Sequence, residues 1–259
     1  MAFIDLNGQH FHYRFDGPPD APVLMLSNSL GTDLTMWNPQ VEHFARRFRV
    51  LRYDTRGHGA SAVTAGPYTI AQLGGDVLAL LDALKIGRVR FCGLSMGGAT
   101  GMWLAAHAPE RLEQVVLCNT GACIGTADVW NTRIATVRQG GMETIVQGTM
   151  ERWFTAAFRA RAPETVERVR EVFRRTPPAG YIACCEAIRD HDERDAIAAI
   201  RLPTLVIAGT HDPATPPADG RFLAESIPGA RYVELDTAHL SNLEAADEFT
   251  ETVFKFVTS

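Results

Sequence analysis

Short apolar runs separated by amphipathic stretches dominate the first half of the chain. Val23-Leu24-Met25-Leu26 is continuously apolar, which is typical of a strand buried on both faces. Residues 50–53 and 89–92 show a weaker form of this pattern, and 115–117 is the next predicted strand. A predicted helix precedes residue 89, with apolar side chains on one face at Ile70, Leu73, Val77, Leu80, Leu81 and Leu84.

The strand pattern returns near the end of the chain. Residues 204–207 and 232–235 are predicted strands, and a last helix carries Phe249, Val253, Phe256 and Val257 on one stripe. Strands that alternate with helices predict an α/β fold with a mostly parallel sheet, flanked by helices on both faces.

The interval between the two strand-rich regions has a different character. Residues 122–200 show only helical patterning and contain 11 arginines, no lysine and 11 acidic residues. Pro177-Pro178 predicts a break between two of its helices. We predict that 122–200 is a helical cap inserted into a core formed by 1–121 and 201–259.

Composition excludes several classes of partner. The net charge of -5 gives no general attraction to nucleic acid or to anionic lipid. Residues 1–8 lack a basic and an apolar segment, so we expect no secretory signal, and no apolar run approaches the about 18 residues of a membrane span. Five irregularly spaced cysteines argue against a disulfide framework and for a cytoplasmic protein. The oligomeric state is not encoded in any recognisable pattern.

The strongest chemical motif follows the predicted strand 89–92. Gly93-Leu94-Ser95-Met96-Gly97-Gly98 is a G-x-S-x-G turn, which holds its serine in a strained conformation with the hydroxyl above the sheet. Side chains two residues before and after the serine would collide in so tight a turn. We predict that Ser95 is a nucleophile; the alternative is a glycine-rich turn with an incidental serine.

A serine hydroxyl requires a base that removes its proton. In enzymes with this turn, an acid and then a histidine follow later strands. The predicted strands 204–207 and 232–235 lead to Asp212 and His239. We predict that Asp212 orients His239, which acts first as a general base and then as a general acid. The alternatives are a turn aspartate before Pro213 and a solvated loop histidine.

Acyl transfer also needs hydrogen-bond donors for an oxyanion. We predict the backbone N–H of Met96 and that of Leu30, in the loop Ser27-Asn28-Ser29-Leu30-Gly31. The alternative is that this loop is an ordinary turn before the next helix.

Another polar segment, residues 53–61, includes Asp54, Arg56 and His58. We interpret it as structural, with Asp54 and Arg56 holding loops below Ser95, because a metal site there would lack a third ligand. Neither a metal cluster nor a phosphate or dinucleotide motif occurs elsewhere, so we expect no cofactor and no metal.

These segments together resemble one known family. The chain is similar to the 3-oxoadipate enol-lactonases, a branch of the α/β-hydrolases, through residues 27–33 with Met36-Trp37, 54–59, 93–98, 209–213 and 238–242. The resemblance implies that Ser95 attacks the carbonyl of 3-oxoadipate enol-lactone, a small acidic lactone. The enolate leaving group becomes a ketone, and water then releases 3-oxoadipate from Ser95.

The free carboxylate of such a substrate needs a cation or several donors. We predict that Trp130 and Arg133, three residues apart on a helix, share a face toward the substrate, with Trp153 as a further apolar wall. The alternatives are a surface arginine and packing tryptophans. Competing functions are a carboxylesterase or cofactor-free perhydrolase with the same catalytic residues, and a small-ligand receptor of the same fold.

Overall fold

One eight-stranded sheet runs through the computed structural model, which describes residues 2–259. The strands lie in the order β1-β2-β4-β3-β5-β6-β7-β8. Only the β1–β2 and β2–β4 pairs are antiparallel, and all the other neighbours are parallel. The strands are β1 Ala2–Leu6, β2 Gln9–Asp16, β3 Val23–Ser27, β4 Arg49–Tyr53, β5 Val89–Leu94, β6 Leu112–Cys118, β7 Thr204–Gly209 and β8 Arg231–Leu235.

Helices connect the parallel strands and cover both faces of the sheet. They are α1 Asn38–Phe44, α2 Ile70–Ala83, α3 Met96–His107, α4 Ala127–Gly140, α5 Glu143–Trp153, α6 Ala156–Arg161, α7 Pro163–Arg175, α8 Pro178–Arg189, α9 Pro217–Ser226, α10 Ser241–Glu244 and α11 Ala246–Val257. None of these helices is both long and apolar enough to cross a lipid bilayer.

Successive residues of the central strands face opposite sides of the sheet. Leu24 and Leu26 belong to one hydrophobic cluster, whereas Met25 between them belongs to a second cluster on the other face. All three side chains are fully buried. This burial on both faces explains why the strand appears in the sequence as an unbroken apolar run.

The predicted class, a mostly parallel sheet flanked by helices, is confirmed. The apolar runs at 23–26, 50–53 and 204–207 lie in β3, β4 and β7, and the amphipathic stretch from Ile70 forms α2. The antiparallel hairpin of β1 and β2, which turns at Asn7-Gly8, was not predicted.

Five helices, α4 to α8, lie between β6 and β7, in the interval where helical patterning is the rule. The break at Pro177-Pro178 separates α7 from α8, as predicted. We use the name cap for residues 122–200; its treatment as a unit apart from the core 1–121 and 201–259 stays a prediction.

Candidate active site

Ser95 occupies the turn between β5 and α3. Its backbone has φ 57 and ψ -114, in the left-handed half of conformational space that residues other than glycine rarely adopt. The surrounding structure holds this turn, because Ser95 N–H donates to the Cys118 carbonyl at 2.9 Å. The Thr120 hydroxyl donates to the Ser95 carbonyl, also at 2.9 Å.

The glycines on either side of Ser95 permit close backbone contacts. A Cβ atom at Gly93 would collide with the Gly97 carbonyl oxygen, and one at Gly97 would collide with the Ser27 carbonyl oxygen. The G-x-S-x-G spacing therefore lets the start of α3 pack directly against the end of β3. The same packing brings the Leu30 loop beside the serine.

Asp212 and His239 come together from the loops that follow β7 and β8. His239 Nδ1 lies 2.8 Å from Asp212 Oδ2, and both side chains are almost fully buried. Asp212 Oδ2 also accepts hydrogen bonds from Asn119 Nδ2 at 3.0 Å and from the Thr215 hydroxyl at 2.7 Å. Its other oxygen accepts from the Ala214 N–H at 2.8 Å.

This environment keeps Asp212 ionised. Burial by itself would raise its pKa, but the interaction with His239 and the hydrogen bonds from Asn119 and Thr215 outweigh burial and lower the pKa below its ordinary value. A charged Asp212 accepts from the Nδ1–H of the imidazole. Nε2 is then left without its proton and can serve as a base.

Ser95 and His239 line one cavity of about 210 Å³. Their side chains are not hydrogen-bonded to each other in residues 2–259. Such bonds are often long without substrate and shorten when the substrate is bound. The neighbouring His211 and Asp236, by contrast, pair with each other at 2.7 Å on the surface.

Two backbone N–H groups are available beside Ser95. Met96 is the first residue of α3, so its N–H has no partner within the helix. Leu30 also lines the cavity, and within residues 2–259 its N–H donates to no other group. These are the two donors predicted for an oxyanion.

Buried side chains hold the Leu30 loop in place. Asn28 donates to the Tyr53 carbonyl at 2.7 Å and accepts from the Trp37 indole N–H at 2.9 Å. Gly31 N–H donates to His58 Nε2 at 2.8 Å. Burial lowers the pKa of His58 to about 4, so its ring is neutral and can accept this bond.

The segment around His58 has the structural contacts that the sequence predicts. Asp54 accepts hydrogen bonds from the N–H groups of Leu34 at 2.8 Å and Ala60 at 2.9 Å. Arg56 forms a two-pronged ion pair with Asp76 on α2. The contact from His58 to the Leu30 loop was not foreseen, because sequence spacing does not indicate which buried histidine will face which loop.

The cap supplies the cavity wall that faces Ser95. The three cap residues proposed from the sequence, Trp130, Arg133 and Trp153, all line this cavity. The Arg133 guanidinium lies 4.9 Å from the centre of the Trp130 ring, consistent with their shared helical face. Two further wall residues, Arg152 and Tyr181, were not predicted.

Arg133 and Arg152 are cations without an acidic partner. In residues 2–259 neither forms a salt bridge, and the Arg152 side chain donates only to the Thr149 hydroxyl, at 3.1 Å. Burial and then the positive charge of Arg133 lower the pKa of Arg152. Two like charges on one cavity wall favour the binding of an anion.

Sequence signals for the missed residues are weak. Asn119 directly follows β6, and the end of a parallel strand is a common place for functional side chains, which could have drawn attention to it. Arg152 is one of 11 arginines in the cap, and nothing in its sequence neighbourhood separates it from the others.

A family model described as the alpha/beta hydrolase fold matches residues 22–246. The chain belongs to the α/β-hydrolase family. It is 47% identical to 3-oxoadipate enol-lactonase 2 of Acinetobacter baylyi over 93% of this chain and 91% of that protein. It is 39% identical to 3-oxoadipate enol-lactonase 1 of the same organism, over 100% of this chain and 97% of that protein.

A solved enol-lactonase structure is also similar to this chain. The enol-lactonase from Burkholderia xenovorans LB400 superimposes with a TM-score of 0.98 at 53% identity, covering 100% of both chains. The resemblance to the 3-oxoadipate enol-lactonases that the motifs indicate is therefore confirmed.

Proposed function

We propose that this α/β-hydrolase converts 3-oxoadipate enol-lactone to 3-oxoadipate through an acyl intermediate on Ser95. Its similarity to two curated enol-lactonases and to one solved enol-lactonase supports this substrate. One observation carries the proposal. Arg133 and Arg152, which have no acidic partner, line the same cavity as Ser95 and His239. A neutral ester would leave those charges unused.

Ring opening begins with attack by Ser95 Oγ on the lactone carbonyl. His239 Nε2 accepts the serine proton, and the charged Asp212 stabilises the imidazolium. The carbonyl oxygen becomes an oxyanion that the N–H groups of Leu30 and Met96 stabilise. Collapse of this intermediate breaks the bond to the ring oxygen, which leaves as an enolate.

The leaving group makes this step difficult to reverse. The enolate accepts the proton that His239 took from Ser95, which returns His239 to its neutral form, and the resulting enol becomes a ketone that no longer competes for the acyl group on Ser95. His239 then removes a proton from water, whose oxygen attacks the acyl carbon. A second oxyanion forms in the same position and collapses to release 3-oxoadipate and the free serine hydroxyl.

The two arginines select for the carboxylate of the substrate. A guanidinium offers paired N–H donors that match the two oxygens of a carboxylate, and such charge-assisted bonds are stronger than neutral ones. Arg133 and Arg152 would bind this group at the cap side of the cavity, while Trp130 and Trp153 exclude water from the ring.

We place the reaction in the cytoplasm, without cofactor or metal. All five cysteines are free in residues 2–259, which suits a reducing compartment. The nucleophile, base and oxyanion donors that the reaction requires are all protein groups.

Steady-state kinetics on two substrates test the proposal. We expect kcat/KM for 3-oxoadipate enol-lactone to exceed that for phenyl acetate, a neutral aryl ester, by about 10- to 100-fold, as expected from losing a charge-assisted contact. A preference for phenyl acetate would instead favour a general carboxylesterase.

Ser95→Ala is the matched control for both substrates. We expect it to remove turnover of each while the protein stays folded, because the serine side chain is not part of either hydrophobic cluster. Turnover near the wild-type level in this variant would contradict the assigned nucleophile.

A further inference from the structure

The hydroxyl of Ser29 is buried without a hydrogen-bond partner. Ser29 precedes Leu30 in the loop after β3, and its side chain is 1% exposed. It lines the same cavity as Ser95, Leu30 and His239. A buried hydroxyl without a partner costs free energy, so its position calls for a physical explanation.

Location distinguishes Ser29 from the other buried polar atoms without partners. In residues 2–259 there are seven such side-chain atoms, in Ser29, Arg52, Thr55, Arg170, His191, Thr237 and Asn242. Ser29 alone among these residues lines the cavity that contains Ser95. Ser29 is therefore the one residue of this set that lies in the wall of the cavity where a substrate would bind.

The backbone of Ser29 is held independently of its hydroxyl. Its N–H donates to the Met36 sulfur at 3.4 Å, and its carbonyl accepts from the Thr32 N–H at 3.2 Å and the Thr32 hydroxyl at 2.7 Å. The loop therefore does not need the side-chain oxygen for its conformation. Removal of that oxygen should leave the Leu30 N–H in place.

We propose that the Ser29 hydroxyl is a catalytic donor, the third hydrogen bond to the oxyanion after those of Leu30 and Met96. The hydroxyl donates its hydrogen to the carbonyl oxygen as negative charge develops there, during both attack by Ser95 and attack by water. No proton is transferred, and the hydroxyl returns to its unpaired state when the product leaves. This role rests on the proposed acyl-transfer function of the site.

Ser29→Ala tests the proposal directly. Removing one oxyanion donor typically lowers kcat by about 100-fold or more. We expect a loss on the order of 100-fold in kcat with little change in KM, and a similar factor for 3-oxoadipate enol-lactone and phenyl acetate. Thr55→Val is the matched control, since it removes another unpartnered buried hydroxyl that does not line this cavity; its kcat should stay at the wild-type value.

Inhibitor binding separates a catalytic role from a structural one. Methylboronic acid forms a tetrahedral anionic adduct with an active serine, whereas 3-oxoadipate binds as a ground-state product. Ser29→Ala should weaken inhibition by the boronic acid by the factor lost in kcat/KM and leave inhibition by 3-oxoadipate unchanged. Equal weakening of both inhibitors, or kcat/KM within threefold of wild type, would overturn the proposal.

Ser29→Cys covers the case in which the alanine variant does not fold. A thiol is a weaker donor than a hydroxyl, so we expect an intermediate kcat; a kcat equal to wild type would contradict the proposal.

If wild-type protein hydrolyses phenyl acetate but not the lactone, the proposed substrate is wrong. The Ser29→Ala ratio measured on phenyl acetate still decides the role of Ser29.

Discussion

Arg152 carries a charge that its surroundings do not balance. Its side chain is half-buried in the cavity wall, and after burial the largest effect on its pKa is the like charge of Arg133, which lowers it. A protein selected for stability alone would pair or remove such a group. The unbalanced charge is therefore best explained by a ligand that brings a carboxylate.

We expect Arg152→Gln to raise KM for 3-oxoadipate enol-lactone by about 10- to 100-fold, since a hydrogen bond to a charged group contributes about 1.5–3 kcal/mol. KM for phenyl acetate should not change, because that ester has no carboxylate. Arg133→Gln should act in the same direction. Arg138→Gln, which removes an exposed arginine paired with Glu186, is the control and should leave both KM values unchanged.

Equal changes of KM for the acidic and the neutral substrate would show that Arg152 does not bind the carboxylate of the substrate. Loss of the cavity shape could also raise both values together. Thermal unfolding of each variant distinguishes that case, because a collapsed cavity wall would lower the melting temperature.

At the scale of elements, α8 touches the core through two glycines. A Cβ atom at Gly180 would collide with the Gly57 carbonyl oxygen, and a Cβ at Gly57 would press on the Gly180 Cα. The same helix carries Tyr181, a wall of the cavity. A side chain added between these two backbones would therefore push α8, and Tyr181 with it, away from the core.

We expect Gly180→Ala to destabilise the protein by about 1–3 kcal/mol through overpacking and to lower kcat/KM by moving Tyr181. Gly75→Ala is the control, because this exposed glycine of α2 has nothing within 4 Å of an added Cβ. That change should stabilise the helix by about 0.5–1 kcal/mol and leave kcat/KM unchanged. Urea unfolding and kinetics measure both effects, and a neutral Gly180→Ala would contradict the tight contact.

Local patterning predicted the elements that are buried on both faces. The strands at 23–26 and 204–207 and the helix from Ile70 follow from apolar runs or one-sided spacing, since burial imposes those patterns directly. The β1–β2 hairpin was missed, although Asn7-Gly8 between alternating segments is a strong turn signal. The sequence of this turn is therefore sufficient to predict the hairpin.

The residues of the candidate site also fall into a group that the sequence predicts and a group that it does not. Ser95, Asp212 and His239 could be predicted because backbone geometry ties each of them to a strand end. Arg152, Tyr181 and the free hydroxyl of Ser29 could not, because their importance depends on which side chains lie across the cavity. That information arises only from the packing of the cap against the sheet.

For the molecule as a whole, two buried histidines couple folding to pH. Burial lowers the pKa of His58 and of His191 to about 4, below the ordinary value of 6.5. Between pH 6.5 and 4 the unfolded chain therefore binds protons that the folded protein does not. The contribution of the neutral histidines to the free energy of unfolding is fully present above pH 6.5 and is lost as the pH falls toward 4.

We expect each of these histidines to reduce the free energy of unfolding by about 2 kcal/mol between pH 7 and pH 5. In His191→Gln that pH-dependent loss should shrink by the same amount, since glutamine does not titrate. His10→Gln, which replaces an exposed histidine, is the control and should keep the wild-type loss. Urea unfolding at the two pH values measures this, and an unchanged loss in His191→Gln would contradict a neutral buried ring.

The position of the cap between β6 and β7 also has a consequence during synthesis on the ribosome. Ser95 and the loop that carries Leu30 belong to the first 118 residues, whereas Asp212 and His239 follow β7 and β8. Under the proposed mechanism, the residues of the serine turn are therefore translated long before the base that activates Ser95. Ser95 would gain that base only after β8 and the loop that follows it have been translated.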